Sequence, residues 1–229
     1  MIPIFIGYDP REAIAFHVCS NSIIRQSSQP VAISPLALNV LKDYKETHTD
    51  GSNHFIYSRF LVPHLMNYQG WAIFIDGDMI LRDDIVELWN MRDEKHAVMV
   101  VKHDYKTKMT TKYLGSKNEN YPCKNWSSVM LWNCSHPKNK ILTPEFIQRS
   151  TGAELHRFTW CLDQDDVGSL PTEWNWLDIE YNQNPNAKLI HYTLGTPCFY
   201  EFALSGHYSQ EWHRERILTE YCQQHDIFK

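Results

Sequence analysis

Trp71-Ala72-Ile73-Phe74-Ile75-Asp76-Gly77-Asp78-Met79 joins an unbroken apolar run to two carboxylates spaced one residue apart. A short apolar run bounded by a turn signal reads as a buried strand. In a parallel α/β sheet, ligands sit beyond the carboxyl ends of the strands, which puts Asp76 and Asp78 at the mouth of that crevice. Two fixed carboxylates there suit a hard divalent cation, Mg2+ or Mn2+, which takes oxygen ligands and bridges to substrate phosphates. The same residues also read as a strand followed by an Asp-Gly turn with Asp78 in solvent. The choice between the two rests on the remainder of the chain.

Upstream, Pro3-Ile4-Phe5-Ile6 reads as a first buried strand closed by Gly7-Tyr8. Asp9 is a good N-cap, Pro10 fits the first helical position and Glu12 completes a capping box, so a helix is expected through about residue 25. The loop holds one glycine and matches neither a dinucleotide fingerprint nor a Walker loop. Val31 to Leu38 is expected to be a second strand. Residues 54–68 read as helical with a break near Pro63, and Arg59 is the one cation on that apolar face. It either snorkels or reaches an acid or phosphate in the crevice.

Downstream, residues 83–89 read as a short helix with acids at its start, as the helix dipole favours. Residues 97–101 and 129–132 read as further strands, Thr143-Pro144-Glu145 opens a helix, and Leu162 to Val167 is expected to begin another. Lys102-His103-Asp104-Tyr105 and His191-Tyr192-Thr193-Leu194-Gly195 each follow an apolar run, so polar groups recur where strands should meet the crevice.

The chain has 229 residues, enough for one sizeable α/β domain, and no low-complexity or linker-like segment, so a single domain is expected across 1–229. A net charge of −5 gives no reason to invoke nucleic acid or an anionic membrane surface. No apolar run approaches the ~20 residues of a transmembrane segment. The N-terminus lacks a basic n-region, and the six cysteines show no CxxC spacing. A cytoplasmic location with reduced thiols is the expectation. Eight Trp and twelve Tyr suit either an ordinary core or a groove that stacks on sugars or bases.

The order of these segments resembles retaining glycosyltransferases of GT-A type, the family-eight group that includes glycogenin and bacterial galactosyltransferases. The resemblance runs from Ile4 to about Phe202. It takes in Ile4-Phe5-Ile6-Gly7-Tyr8-Asp9, Tyr57-Ser58-Arg59-Phe60-Leu61-Val62-Pro63, Phe74-Ile75-Asp76-Gly77-Asp78 and Asp84-Ile85-Val86-Glu87-Leu88-Trp89. It continues through Asn125-Trp126-Ser127-Ser128-Val129-Met130-Leu131-Trp132-Asn133, Asp163-Gln164-Asp165 and His191-Tyr192-Thr193-Leu194-Gly195.

The resemblance implies a Rossmann-like nucleotide-sugar transferase fold with a mainly parallel sheet. It makes Asp76, Asp78 and His191 the ligands of Mn2+ or Mg2+, and puts Arg59 near the donor sugar or its neighbouring acid. Asp163 and Gln164 would sit at the reacting sugar, flanked by sugar-stacking surface on Trp160, Trp174 and Trp176. Gly7, Tyr8 and Asp9 would hold the base, Tyr8 by stacking and Asp9 by accepting a base N–H. Arg11, Asp104 and Gly195 complete the expected donor contacts. The donor would be a nucleoside-diphosphate sugar, by family habit a UDP-sugar, and the acceptor a glycan or other hydroxyl.

Two places depart from the family pattern. Phe-Asn-x-Gly is replaced by Asn125-Trp126-Ser127-Ser128, and the Lys-Pro-Trp after the late His and Gly by Thr196-Pro197-Cys198. The second change removes the cation that neutralises the diphosphate, with Arg11 and Lys102 as candidates to replace it. Asp163, Asp165 and Asp166 also read as ordinary acids in the first turn of a helix. Two other classes use parts of the same pattern. A nucleotidyltransferase or metal-dependent phosphohydrolase also carries Asp-x-Asp, and a non-catalytic carbohydrate-binding domain would explain the aromatics but not the acids.

Overall fold

The computed structural model describes residues 1–161 and 165–221. Its larger sheet contains β1 (Ile2–Gly7), β2 (Val31–Leu36) and β3 (Trp71–Ile75). A second, smaller sheet begins with β4 (Met79–Leu81), directly after the acidic turn. β5 (Val98–Val101), β6 (Val129–Asn133) and β7 (Val167–Leu170) complete the larger sheet in the order β2-β1-β3-β6-β5-β7. β1 pairs in parallel with β2 and β3, and β5 with β7, while β6 runs antiparallel to both of its neighbours. The sheet is therefore mainly parallel, with a single reversed strand.

Strand periodicity divides this sheet between two cores. Phe5, Ala72, Phe74, Val98, Val100, Met130 and Trp132 pack into one. The alternate residues Ile4, Ile6, Ile73, Ile75, Met99, Val101, Val129 and Leu131 pack into the other. Successive side chains of a strand point to opposite faces, so an apolar run such as Trp71–Ile75 is stable only where both faces are covered. All five of its residues are buried.

The helices are α1 (Ala13–Gln26), α2 (Val62–Leu65), α3 (Ile85–Trp89), α4 (Pro144–Arg149), α5 (Gly152–His156) and α6 (Ser209–Glu220). Asp9 caps the 3-10 turn Pro10–Glu12 that leads into α1, accepting from the Arg11 backbone N–H. The expected capping box does not close: Glu12 is buried and accepts instead from the Thr196 hydroxyl. Residues 54–68 form a 3-10 turn (Ser58–Leu61) and a single α-turn, with Pro63 in the first turn, where its missing N–H costs least.

The helix expected from Leu162 to Val167 is corrected at its end. Val167 opens β7, drawn into extended form by pairing with Val98 on the edge of the sheet. Leu162 lies outside the described residues. The short strands β8 (Trp176–Leu177) and β9 (Leu189–His191) join β4 in the order β4-β9-β8, and of these three only β9 was legible as an apolar run. Val18 of α1 and Trp212 of α6 share a third core with Ile80 and Ile190 of this small sheet.

This small sheet positions the site. β4 and β9 are antiparallel with Met79 opposite His191, and the Tyr192 N–H donates to the Asp78 carbonyl at 3.0 Å. Gly77 lets the acidic turn pass the end of β1, because a Cβ there would lie 2.3 Å from the Gly7 carbonyl oxygen. Overpacking against immovable backbone typically costs about 1–3 kcal/mol. Gly77→Ala is expected to lower unfolding free energy by about that amount and to weaken Mn2+ binding, since both carboxylates ride on the displaced turn. Urea titration and metal calorimetry on the variant check this; an unchanged midpoint with unchanged Mn2+ affinity would refute it.

Candidate active site

β3 ends by handing Asp76 to a place where its backbone N–H donates to the Ser128 carbonyl at 2.9 Å. Its carboxylate is buried and meets the Arg59 guanidinium at 2.7 Å. Arg59 is itself only 3% exposed. It donates to the carbonyls of Ser127 (3.0 Å) and Phe55 (3.3 Å), and its guanidinium lies 5.2 Å from the ring centres of both Phe55 and Phe74. The cation on the apolar face of residues 54–68 is thus the buried counter-charge of Asp76.

His191 faces both acids, with Nε2 at 3.4 Å from Asp78 Oδ1 and 3.9 Å from Asp76 Oδ2. Its other nitrogen is fixed. Asn175 donates its amide N–H to the Asn125 carbonyl at 3.0 Å, leaving Oδ1 to accept from His191 Nδ1–H at 2.9 Å. A histidine held this way presents Nε2 as its ligand atom, the usual arrangement behind a metal-binding imidazole. One ligand atom from each of Asp76, Asp78 and His191 lies within 4.8 Å of the others. Asp78 Oδ1 is buried without a hydrogen-bond partner. A dry carboxylate oxygen left open beside an imidazole lone pair fits a divalent cation.

The electrostatics divide the pair. Burial pushes Asp76 up to about 6 despite Arg59. Burial acts on Asp78 in the same sense, but the positive charge that His191 carries when it is protonated, with a further contribution from Lys112, outweighs it and holds Asp78 below the usual carboxylate range; a divalent cation would take over that role from the imidazolium. Glu12, across from Asp78, is pushed up to about 8 by burial and by the Asp78 charge.

Arg59, Asp76, Asp78 and His191 line a narrow cleft of about 50 Å3 together with Asn53, Lys112, Tyr121, Asn125, His156 and Thr193. It adjoins a wider groove of about 400 Å3 that contains Lys117, Lys124 and Arg157 and shares Lys112, Tyr121 and His156. His156 accepts or donates at Ser127 Oγ (2.7 Å), and burial, assisted by Arg59, drives its pKa down to about 3. Asn175, His156 and Lys112 carry no signal in the sequence, since each comes from a segment with no apolar periodicity to place it.

The other expected residues are distributed around this centre. Gly7 is packed beneath the Phe55 ring, and Tyr8 lies edge-on to Phe16 at 5.6 Å. Asp9 is buried, and both of its oxygens are held by the Arg11 side chain, with further bonds from the Arg11 and His54 N–H groups. Arg11 also donates to the Ser52 carbonyl. Lys102 donates to the Val167 carbonyl at 2.6 Å. Neither cation expected to replace the missing lysine lines the cleft around Asp76 and Asp78.

His103 is buried on the Tyr181 hydroxyl, with its pKa driven down to about 3 by burial, and Asp104 beside it is exposed outside the cleft lining. Gly195 adopts φ 150°, and a Cβ there would meet Phe202 and Tyr113. Asp163 and Gln164 lie outside the described residues. Of the flanking tryptophans, Trp174 is fully buried in the core, and Trp160 packs against Trp132 and Phe60.

Solved structures similar to this one give it the GT-A fold of glycosyltransferases. The sequence pattern of glycosyl transferase family 8 matches residues 11–197, and the chain belongs to that family. Protein CDI of Arabidopsis thaliana is 47% identical over 205 residues, which is 86% of this chain and 79% of that protein. Among solved structures, the WbbM bifunctional glycosyltransferase is similar with a TM-score of 0.61 at 16% identity, covering 93% of this chain. The chain spans only 51% of that protein's length. The galactosyltransferase LgtC, in complex with donor and acceptor sugar analogues, is similar with a TM-score of 0.55 at 12% identity over 94% of this chain and 95% of that one. No described helix is long and apolar enough to cross a membrane.

Loss of a partner behind a ligating histidine typically lowers metal affinity about 10- to 100-fold. Asn175→Ala is expected to weaken Mn2+ binding by that order while keeping the fold, measured by calorimetry on metal-stripped protein. Mn2+ affinity equal to that of the parent would show that His191 needs no such support.

Proposed function

We propose that this glycosyltransferase is metal-dependent and retaining, and moves a sugar from a nucleoside-diphosphate donor, by family habit a UDP-sugar, to a glycan or other hydroxyl acceptor. The whole chain would act as one catalytic domain. The observation that carries the reading is the convergence of Asp76, Asp78 and His191 at the mouth of the sheet, with an open carboxylate oxygen and an oriented imidazole.

Asp76, Asp78 and His191 would hold Mn2+ or Mg2+, which supplies charge neutralisation for a departing diphosphate. Arg59 keeps Asp76 in place by pairing with it, and Asn175 keeps the imidazole turned toward the acids. The wider groove beside the cleft offers room for the acceptor, and the exposed ends of Tyr121 and Lys117 give it polar and aromatic surface. Asp163 and Gln164 would face the sugar and stabilise its developing positive charge, as nucleophile or as electrostatic partner. Asp9 would serve the base indirectly, by locking residues 52–54 to the start of α1. LgtC, similar in fold and solved with donor and acceptor sugar analogues, supports a two-substrate site of this kind. Five described cysteines are free, which fits a reducing, cytoplasmic setting.

The test is a transfer and hydrolysis assay over a panel of UDP- and GDP-sugars with Mn2+, using the parent, Asp78→Ala and Asp163→Asn. The parent is expected to turn over a UDP-sugar only with metal present. Asp78→Ala should lose metal-dependent donor binding. Asp163→Asn should lose turnover with little change in donor binding, as expected for a group acting in the transition state. Metal-independent turnover, preference for GDP-sugars, or an unimpaired Asp78→Ala enzyme would each contradict its part of the reading.

A further inference from the structure

A leaving diphosphate calls for positive charge beyond the metal, and the place where the family pattern keeps a lysine holds none here. Thr196 is fully buried with its hydroxyl on Glu12, and Cys198 follows two residues later. The cations nearby are mostly committed. Arg59 neutralises Asp76, Arg11 is clamped by Asp9, Lys102 is bound to the Val167 carbonyl, and Lys124 donates to Asn118 and the Glu119 carbonyl.

Lys112 differs from these. It lines both the metal cleft and the adjoining groove, so its side chain borders the boundary between them. Among the described residues, its ammonium makes no hydrogen bond or ion pair. Burial lowers its pKa from the ordinary lysine value, while the charges of Asp78 and Asp76 across the cleft oppose that fall.

Its backbone is fixed rather than loose. The Lys112 N–H donates to the Ser116 carbonyl at 2.7 Å, and Thr111 bridges to Lys117. The next residue docks this hairpin on the segment that carries His191. The Tyr113 N–H donates to the Leu194 carbonyl at 2.7 Å, and its ring stacks on Phe199 at 4.9 Å. Farther back, the Lys108 N–H donates to Glu180. A long cationic side chain held by a docked hairpin beside two carboxylates, and unpaired itself, is arranged for an anionic ligand that joins it to the metal.

We propose that Lys112 is the diphosphate-binding cation of this enzyme, supplied from a different loop than in the family pattern. The inference rests on the nucleoside-diphosphate donor reading given above. In the reaction, the bond between the sugar's anomeric carbon and the β-phosphate oxygen breaks, and its electron pair stays on that oxygen. The acceptor oxygen forms the new bond to the same carbon, and the acceptor proton passes to the departing phosphate. The Lys112 ammonium pairs with the charge that accumulates on the diphosphate.

The test is calorimetry on metal-stripped parent, Lys112→Gln and Lys112→Arg, titrated first with Mn2+ alone and then, at saturating Mn2+, with UDP, GDP and ADP in parallel. Loss of one charge-assisted hydrogen bond corresponds to about a 10- to 100-fold loss of affinity. Lys112→Gln is expected to bind the preferred diphosphate weaker by that factor while Mn2+ affinity is unchanged or tighter, and Lys112→Arg to recover most of the loss. Equal diphosphate affinity in Lys112→Gln overturns the assignment of Lys112 and leaves the donor reading standing. A loss that extends to Mn2+ and is not rescued by arginine also overturns it, by showing a structural effect. A parent that binds none of the three diphosphates removes the donor reading and this inference with it.

Discussion

Two carboxylates at the dry end of a sheet are the constraint on which this structure turns. An isolated charge buried in a protein interior carries a desolvation penalty of several kcal/mol, and two like charges add their repulsion. Here the penalty is met asymmetrically. Asp76 has a buried arginine against it and still sits above the usual carboxylate range, whereas Asp78 is held below that range by the positive charges of Lys112 and of His191 when it is protonated. Arg59 in turn requires the carbonyls of Ser127 and Phe55 and the faces of two phenylalanine rings. Much of the packing between β3, β6 and residues 55–62 can therefore be read as the surroundings that make one buried ion pair tolerable. The remaining negative charge is what a divalent cation would neutralise.

The second constraint is register. His191 lies 113 positions after Asp78 in the sequence, and only the pairing of β4 with β9 brings them together. A shift of one residue in that pairing would turn His191 to the opposite face. The small sheet is anchored by the third core, in which α1 and α6 pack on Ile80 and Ile190, so the distant α6 supports the site without touching it. Behind the imidazole, Asn175 and Asn125 extend the order outward by one further layer of hydrogen bonds. Asn125 sits at a left-handed φ of 61° in the stretch that departs from the family pattern. The departure therefore falls at a supporting turn of the site.

What the sequence made legible follows from the range of each interaction. Strands buried on both faces announce themselves as apolar runs, and β1, β3, β5 and β6 were readable for that reason. The acidic turn was readable because its meaning depends on adjacent residues. His191 was marked by its place after an apolar run, and its role as the third ligand came through the resemblance to a known order of segments. The short strands β4, β7 and β8 were missed: each has two to four residues and owes its extended form to a partner distant in the chain. Trp174 illustrates the opposite error, since an aromatic beside a presumed sugar site reads as stacking surface but is in fact core. Asn175 and Lys112 could not be found at all, because nothing local distinguishes a supporting amide or a poised lysine from ordinary loop residues.

The central claim is that Asp76, Asp78 and His191 hold a metal that also contacts a diphosphate, and pulsed electron paramagnetic resonance on Mn2+-loaded protein addresses it atom by atom. The account predicts nitrogen coupling from one imidazole, abolished in His191→Ala, and phosphorus coupling that appears when a nucleoside diphosphate is added. A bound Mn2+ that shows no nitrogen coupling in the parent protein, or no phosphorus coupling with saturating diphosphate, would contradict it.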